Sequence, residues 1–234
     1  MPEWMPSQFK GAKAYDRSRT SSRLSVESYS VGEVVANAIS TGVGAALAIA
    51  GIAILVVIAV LHGGGLRLLG ALTFSIPLFL AFLMSTLYHA IPAEGAKRVF
   101  EVLDCIFVLS AIAGVLTPYC LIAAGDSIGP VICGIEWIIA VAGIVVELVW
   151  FSRPRWLPIA ISGAMVLVAV PLFPALFAVM PSVGWWLGVA GALCFVARLV
   201  LALLNKVPYL SFVSHVMAVA GCVLLFFSVA LFVL

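Results

Sequence analysis

The sequence predicts an all-α polytopic membrane protein, folded as a bundle of seven transmembrane helices. Two of the observations behind this fold class are compositional: 65% of the 234 residues are hydrophobic and only 9% are charged. A soluble domain with so few charges would expose most of its surface as apolar patch. The third observation is that the apolar residues lie in seven long runs, separated by short stretches rich in Gly, Pro and charged residues.

Each of the seven runs is long enough to cross a bilayer, for which a helix needs about 20 residues. The runs cover residues 34–61, 66–91, 99–124, 129–151, 156–179, 183–204 and 208–233. The fifth run contains Pro171 and Pro174, which remove backbone donors and predict a kink. Residues 33–234 therefore form the predicted membrane domain. Residues 1–32 form a polar tail that we expect to be disordered.

The basic residues predict the orientation in the membrane. Of the twelve Lys and Arg residues, eleven lie in the tail or in or near the connections on the tail's side of the predicted bundle, and only Arg67 lies on the other side. Loops rich in Lys and Arg stay in the cytoplasm. The amino terminus is therefore predicted to be cytoplasmic, and the carboxyl terminus is predicted to lie outside.

Three ionisable residues share one depth in this topology. His89 closes the second run, Asp104 lies just inside the third, and His215 lies in the second turn of the last. At the rise of an α-helix, all three fall within about 10 Å of the cytoplasmic face. Ionisable groups at membrane depth usually mark function. Two imidazoles and a carboxylate in one layer indicate a metal-binding or proton-handling site. Ser85 shares a helix face with His89.

Other charged residues have less informative positions. Glu147 and Arg198 are expected to extend to the inner surface, where they can also form an ion pair with each other. Glu136 lies deeper in the fourth run and is expected to line an external vestibule. None of these three residues is assigned to the predicted site.

Several motifs give the chain a resemblance to a known family. They are EVVANAI at 33–39, STLYH at 85–89, KRVFEVLD at 97–104, IAG at 112–114 and TP at 117–118. This set is similar to motifs of the hemolysin III and progestin/adipoQ receptor family, and the likeness extends over most of the chain from Glu33 onward. Seven spans with a cytoplasmic amino terminus are also that family's arrangement.

The resemblance implies a zinc ion near the cytoplasmic face. In the family the metal is held by one histidine of the second span and two histidines of the seventh, and a serine and an aspartate support it. Carried onto this sequence, the metal residues are His89 and His215, with Asp104 and Ser85 in the site. Ser211 stands where the family has the other histidine of the seventh span.

The loss of that histidine leaves the third zinc ligand open, because a catalytic zinc normally has three protein ligands and a water. Asp104 can complete a site of two histidines and one carboxylate. Cys105 can serve instead, although it points about 100° away from Asp104 around the helix. The alternative is a metal-free, hydrogen-bonded cluster of His89, Asp104 and His215 that joins three helices.

The resemblance implies a zinc-dependent hydrolase of lipid amides, similar to a ceramidase, in a bacterial inner (plasma) membrane. His89, His215 and Asp104 would hold the metal, and Asp104 and Ser85 would be the catalytic residues. The expected partners are membrane lipid and a lipid substrate that enters between helices, and no nucleic acid. Two alternatives remain, namely a non-enzymatic receptor-like or lytic protein and a member that has lost its metal site.

Overall fold

The computed structural model describes residues 30–91, 93–125, 128–150, 154, 156–204 and 208–234. Within these ranges the chain forms α-helices and one π-helical segment, and no β-strand. In chain order the helices are α1 (Val31–His62), α2 (Gly65–Ala90), α3 (Glu94–Pro118), the π-helical segment (Tyr119–Ala123), α4 (Gly129–Val149), α5 (Trp156–Ala169), α6 (Leu172–Val179), α7 (Ser182–Leu203) and α8 (Leu210–Phe232). The predicted tail lies outside the described residues except for its last three, and α1 begins at Val31.

The helices confirm the predicted all-α membrane fold. In the described ranges, six helical stretches are long and apolar enough to span a bilayer, and α5 with α6 makes a seventh if the pair is one bent span. That pair is bent by 45° between Ala169 and Leu172. Pro171 and Pro174 have no N–H to continue the α-helical ladder. The chain turns instead through a tighter bond from the Val170 amide to the Leu167 carbonyl, 3.2 Å long.

Close helix packing brings α2 between α1 and α3, pairs α7 with α8, and closes the bundle through α1 and α8. Glycines permit the closest approaches, as expected where helices pack in a membrane. A Cβ added at Gly114 of α3 would collide with the Thr73 carbonyl of α2. A Cβ at Gly221 of α8 would lie 3.0 Å from the Gly191 carbonyl of α7. The backbones of these helix pairs are therefore in direct contact.

A set of hydrogen bonds ties the start of the first helix to the start of the last. Ser30 and Glu33 form a capping box at α1, in which Glu33 Oε2 accepts from the Ser30 amide at 2.8 Å. The other carboxylate oxygen, Oε1, accepts from the Tyr209 amide at 2.7 Å. Tyr209 has a left-handed backbone conformation with φ 60° and directly precedes α8. Glu33 therefore holds the start of the helix that carries His215.

Buried polar side chains gather at the end of the bundle where α1 begins and α2 ends, here called the amino-terminal end. Asn37 and Thr41 of α1 are fully buried. Ser85 and His89 of α2 and His215 of α8 are buried at the same end. These buried side chains form the layer of polar residues that the depth of each residue along its helix predicts.

Candidate functional site

Two histidines meet at the amino-terminal end of the bundle. His89, in the last turn of α2, is 6% exposed, and His215, in the second turn of α8, is 8% exposed. Their Nε2 atoms are 3.2 Å apart. The rings are edge to face, with centroids 5.2 Å apart and planes at 80°. The fold therefore presents two imidazole nitrogens to one point.

The short separation of the two nitrogens fits two kinds of contact. Two neutral imidazoles can share a hydrogen bond at 3.2 Å, because each neutral ring has one donor and one acceptor nitrogen. The separation is also close to the roughly 3.3 Å between two ligands that each lie about 2.0–2.1 Å from a tetrahedral zinc. The histidine pair therefore fits two of the ligand positions of a zinc site.

Within the described ranges, no acid, thiol or imidazole completes the histidine pair to a group of three side chains that could hold a metal. Asp104 is instead hydrogen-bonded to Ser85. Its Oδ1 atom is buried and has no hydrogen-bond partner, so one carboxylate oxygen is left over. The side chains thus form two pairs, His89 with His215 and Ser85 with Asp104.

Ser211 occupies the position one turn before His215 on α8. It is half-buried, and its carbonyl accepts a hydrogen bond from Ser214 Oγ at 2.7 Å. A serine hydroxyl at this position supplies no imidazole nitrogen. Because this position holds a serine, the cluster contains two histidines.

A cavity of about 280 Å³ lies beside this layer, bounded by α2, α3 and the four helices from α5 to α8. Its polar lining at the amino-terminal end includes Ser85, Asp104, Arg198 and His215. The rest of the wall is mainly aliphatic and aromatic and includes Leu78, Val108, Leu116, Phe173, Leu176 and Leu225. Such a cavity suits a molecule with an apolar body and a polar end.

Arg198 is the member of this lining that the sequence interpretation missed. The sequence predicts that its side chain extends to the inner surface, but in the structure it lines the cavity, and its Nε atom is buried without a hydrogen-bond partner. Arg198 interacts electrostatically with Asp104 and with His215. The signal that could have found it is depth, because Arg198 lies about one and a half turns before the end of α7, level with His215.

The two acids of α4 are also placed differently from the sequence interpretation. Glu147 is 0% exposed and so does not extend to the surface, and Glu136 is 0% exposed rather than lining an open vestibule. The two residues lie about three turns apart, which puts them on the same helix face. That face, with Ala140 and Gly143 between the acids, is buried against the bundle while the other side of α4 is exposed.

Comparison with known proteins gives the same family along nearly the whole chain. The family model described as haemolysin-III related matches residues 30–227. Hemolysin-3 of Bacillus cereus is 30% identical over 208 residues, which cover 87% of this chain and 93% of that protein. The Hemolysin-3 homolog of Bacillus subtilis (strain 168) is 25% identical over 205 residues, 86% of this chain and 94% of that protein. The chain is therefore an integral membrane protein that belongs to the haemolysin III-related family.

Proposed function

We propose that this protein is a zinc-dependent hydrolase of lipid amides that works in the inner leaflet of the bacterial plasma membrane. The observation that carries the proposal is the pair of facing Nε2 atoms of His89 and His215 beside a largely apolar cavity. A lipid chain fits the apolar wall, and a polar linkage fits the end that holds Ser85, Asp104 and His215.

The residues that would hold the ion are His89, His215 and Asp104. The two imidazoles already face each other at ligand spacing, and the buried Oδ1 of Asp104 has no other partner. Two histidines and one carboxylate form an accepted catalytic zinc set. When bound, zinc supplies a water acidified to a pKa of about 7 and polarises a carbonyl oxygen.

The remaining steps are carried out by side chains of the protein. With its Oδ1 on the ion, Asp104 would use its other carboxylate oxygen as the general base that takes a proton from the attacking water, and would return that proton to the amine nitrogen as a general acid when the C–N bond breaks. Ser85, which is hydrogen-bonded to Asp104, holds the carboxyl group in position for both transfers. The apolar wall of the cavity holds the acyl chain and excludes bulk water from the polar end.

The test combines metal analysis with an activity assay on the full-length protein in mild detergent. The wild type is expected to hold about one zinc per chain and to release fatty acid from a long-chain ceramide, a reaction that a chelator stops. His89→Ala and His215→Ala are expected to lose both zinc and activity. The matched control is His62→Ala. His62 is the only other histidine in the sequence, and it is exposed at the end of α1 that lies away from the histidine pair. Zinc content no higher in the wild type than in His89→Ala would overturn the proposal.

A second candidate is a metal-free, lipid-binding protein, and one observation favours it. The described residues assemble two imidazoles but no group of three metal ligands. In this case the wild type binds lipid without zinc, and the histidine pair joins α2 to α8 by a hydrogen bond. Relatives of this chain bear the name hemolysin, so leakage of lipid vesicles is the activity to measure for this candidate. Leakage that chelator leaves unchanged, with no amide hydrolysis, would support it over the hydrolase.

A further inference from the structure

A second group of polar side chains lies at the other end of the bundle, where the π-helical segment follows α3 and α4 begins. Its members are Thr117, Cys120, Cys133, Glu136 and Trp137. Cys120 comes sixteen positions after Asp104 along the same helix, so about 24 Å of helix separates this group from the layer of the histidine pair. The group is therefore separate from the site of the proposed hydrolase.

Two cysteine thiols of this group are in contact and are here called the thiol pair. Cys120 is fully buried and Cys133 is 8% exposed. Cys120 donates a hydrogen bond to Cys133, and the Cys133 thiol donates to Thr117 Oγ1 at 3.9 Å. Thr117 Oγ1 also accepts from Trp137 Nε1 at 3.1 Å, which fixes the hydroxyl beside the thiol pair.

The backbone holds the thiol pair in place. The π-helical segment that carries Cys120 directly follows Pro118, which has no N–H for the helical ladder. At the start of α4, Gly129 packs so closely that an added Cβ would collide with the Cys120 carbonyl. Cys133 follows one turn later in α4. The two thiols are therefore brought together by direct backbone contact, at a π-helical turn of the kind often found at functional sites.

Glu136 adds a buried acid to the thiol pair. It lies three positions after Cys133, on the same face of α4. Its side chain is 0% exposed, and in the part of the chain that the structure describes neither carboxylate oxygen has a hydrogen-bond partner. Glu136 interacts electrostatically with both cysteines. Burying an acid without a partner is costly, and an ionisable residue at membrane depth usually marks function. A ligand held by the thiol pair would give this carboxyl group a partner.

The donor atoms restrict the chemistry of that ligand. Cysteine sulfur binds soft metal ions, and Cu(I) is the soft ion that needs the fewest ligands, because two thiolates on opposite sides of the ion suffice. Zinc normally takes four ligands. Across the described ranges, no three His, Cys, Asp or Glu side chains are grouped to hold a metal, so a thiol pair suits Cu(I) better than zinc.

We propose that Cys120 and Cys133 bind one Cu(I) ion between the π-helical segment and α4. Each thiol releases its proton on binding, and the two thiolates exceed the charge of the ion by one negative charge. Copper stays Cu(I), so no oxidant or reductant takes part. Glu136, as a carboxylic acid, donates a hydrogen bond to a thiolate and offsets part of that negative charge. The site is independent of the proposed function and needs neither zinc nor a lipid.

The experiment measures Cu(I) binding to the full-length protein in detergent, without oxygen and with ascorbate present. Bicinchoninate competes for the ion, and the colour of its Cu(I) complex reports the copper that the protein does not hold. The wild type is expected to hold about one Cu(I) per chain. Cys120→Ser and Cys133→Ser are each expected to weaken the affinity more than about 100-fold, because loss of an outer partner alone costs about 10–100-fold.

Glu136 variants test the role of the carboxyl group and keep the site testable even if a cysteine variant fails to fold. Glu136→Leu removes the hydrogen-bond donor and should weaken Cu(I) binding by about 10–100-fold. Glu136→Gln keeps an N–H donor of nearly the same shape and should change the affinity little. Equal affinity in Glu136→Leu and the wild type would contradict the role of this carboxyl group.

Two matched controls cover the other copper ligands of the chain. Cys222→Ser changes a buried thiol that lies near Cys194 where α7 packs on α8. His89→Ala removes one imidazole of the histidine pair, since imidazole also binds copper. Both variants should bind Cu(I) as the wild type does.

The outcomes separate this inference from the proposed hydrolase. Cu(I) binding that survives both Cys120→Ser and Cys133→Ser, or that is lost in Cys222→Ser or His89→Ala instead, would overturn the proposal. A disulfide between Cys120 and Cys133 in protein purified under argon would overturn it too. Cu(I) held by the thiol pair of a chain that contains no zinc and hydrolyses no amide would support this site and contradict the hydrolase.

Discussion

His89 and His215 face each other through Nε2 atoms 3.2 Å apart, although 126 positions separate them in the chain. The contact joins the end of α2 to the start of α8. It exists only because the bundle closes, with α1 packed against both α2 and α8. A site built on this pair therefore depends on the position of α8, which the hydrogen bond between Glu33 and Tyr209 helps to hold.

Restoring an imidazole at Ser211 tests whether the histidine pair is part of a metal site. Ser211→His places a third ring one turn before His215, on the same helix face. We expect Ser211→His to retain about one zinc per chain at chelator concentrations that strip the wild type, since three histidines complete a protein ligand set. Elemental analysis of both proteins after graded chelator treatment measures this.

The control for Ser211→His is Val213→His, which adds the same ring on a part of α8 that is 40% exposed. That variant should retain zinc against chelator only as well as the wild type. Equal retention in both variants, above that of the wild type, would mean that the added ring binds metal by itself and that His89 and His215 play no part.

Packing between α2 and α3 predicts a stability effect at Gly114. A methyl group there would collide with the Thr73 carbonyl, so the helices must separate. Gly114→Ala is expected to lower the free energy of unfolding by about 1–3 kcal/mol, the usual cost of overpacking. Thermal unfolding in detergent, followed by tryptophan fluorescence, measures the change. Gly134→Ala meets no atom within 4 Å and should be neutral or slightly stabilising.

The contact between Glu33 and Tyr209 predicts a local effect on hydrogen exchange. Glu33→Ala removes the acceptor of the Tyr209 amide, so this amide should exchange severalfold faster, and mass spectrometry of peptides that contain Tyr209 measures the rate. Ser30→Ala removes one partner of the capping box but leaves the acceptor of Tyr209 in place. Exchange that accelerates equally in both variants would show that loss of the cap, rather than loss of the Glu33–Tyr209 bond, is responsible.

The orientation stays a prediction of the basic residues, and fusion reporters test it. A fluorescent protein attached before Met1 should fluoresce, because it remains in the cytoplasm. Alkaline phosphatase attached after Leu234 should be active, because the carboxyl terminus is predicted to lie outside. The reversed pattern, with an inactive phosphatase at the carboxyl terminus, would place the histidine pair and Asp104 near the outer face instead.

The sequence was sufficient for the fold because each span carries its own signal. A long apolar run must form a helix in a bilayer, since every backbone group must bond within its own segment. The break of the fifth span was equally predictable, because Pro171 and Pro174 lack the N–H that the ladder requires. Depth along a helix follows from residue number alone, so the layer of His89 and His215 was predictable too.

What the sequence by itself determined is therefore the all-helical membrane fold, the apolar spans and the types of polar residue along each span. Tertiary structure decided which of those residues meet. The rotation of each helix depends on packing against its neighbours, and that packing turned Arg198 into the cavity, buried Glu147, and joined Asp104 to Ser85 while His89 met His215. Hydropathy gives no information about rotation where nearly every residue of a span is apolar, because all faces of such a helix then look alike to the membrane.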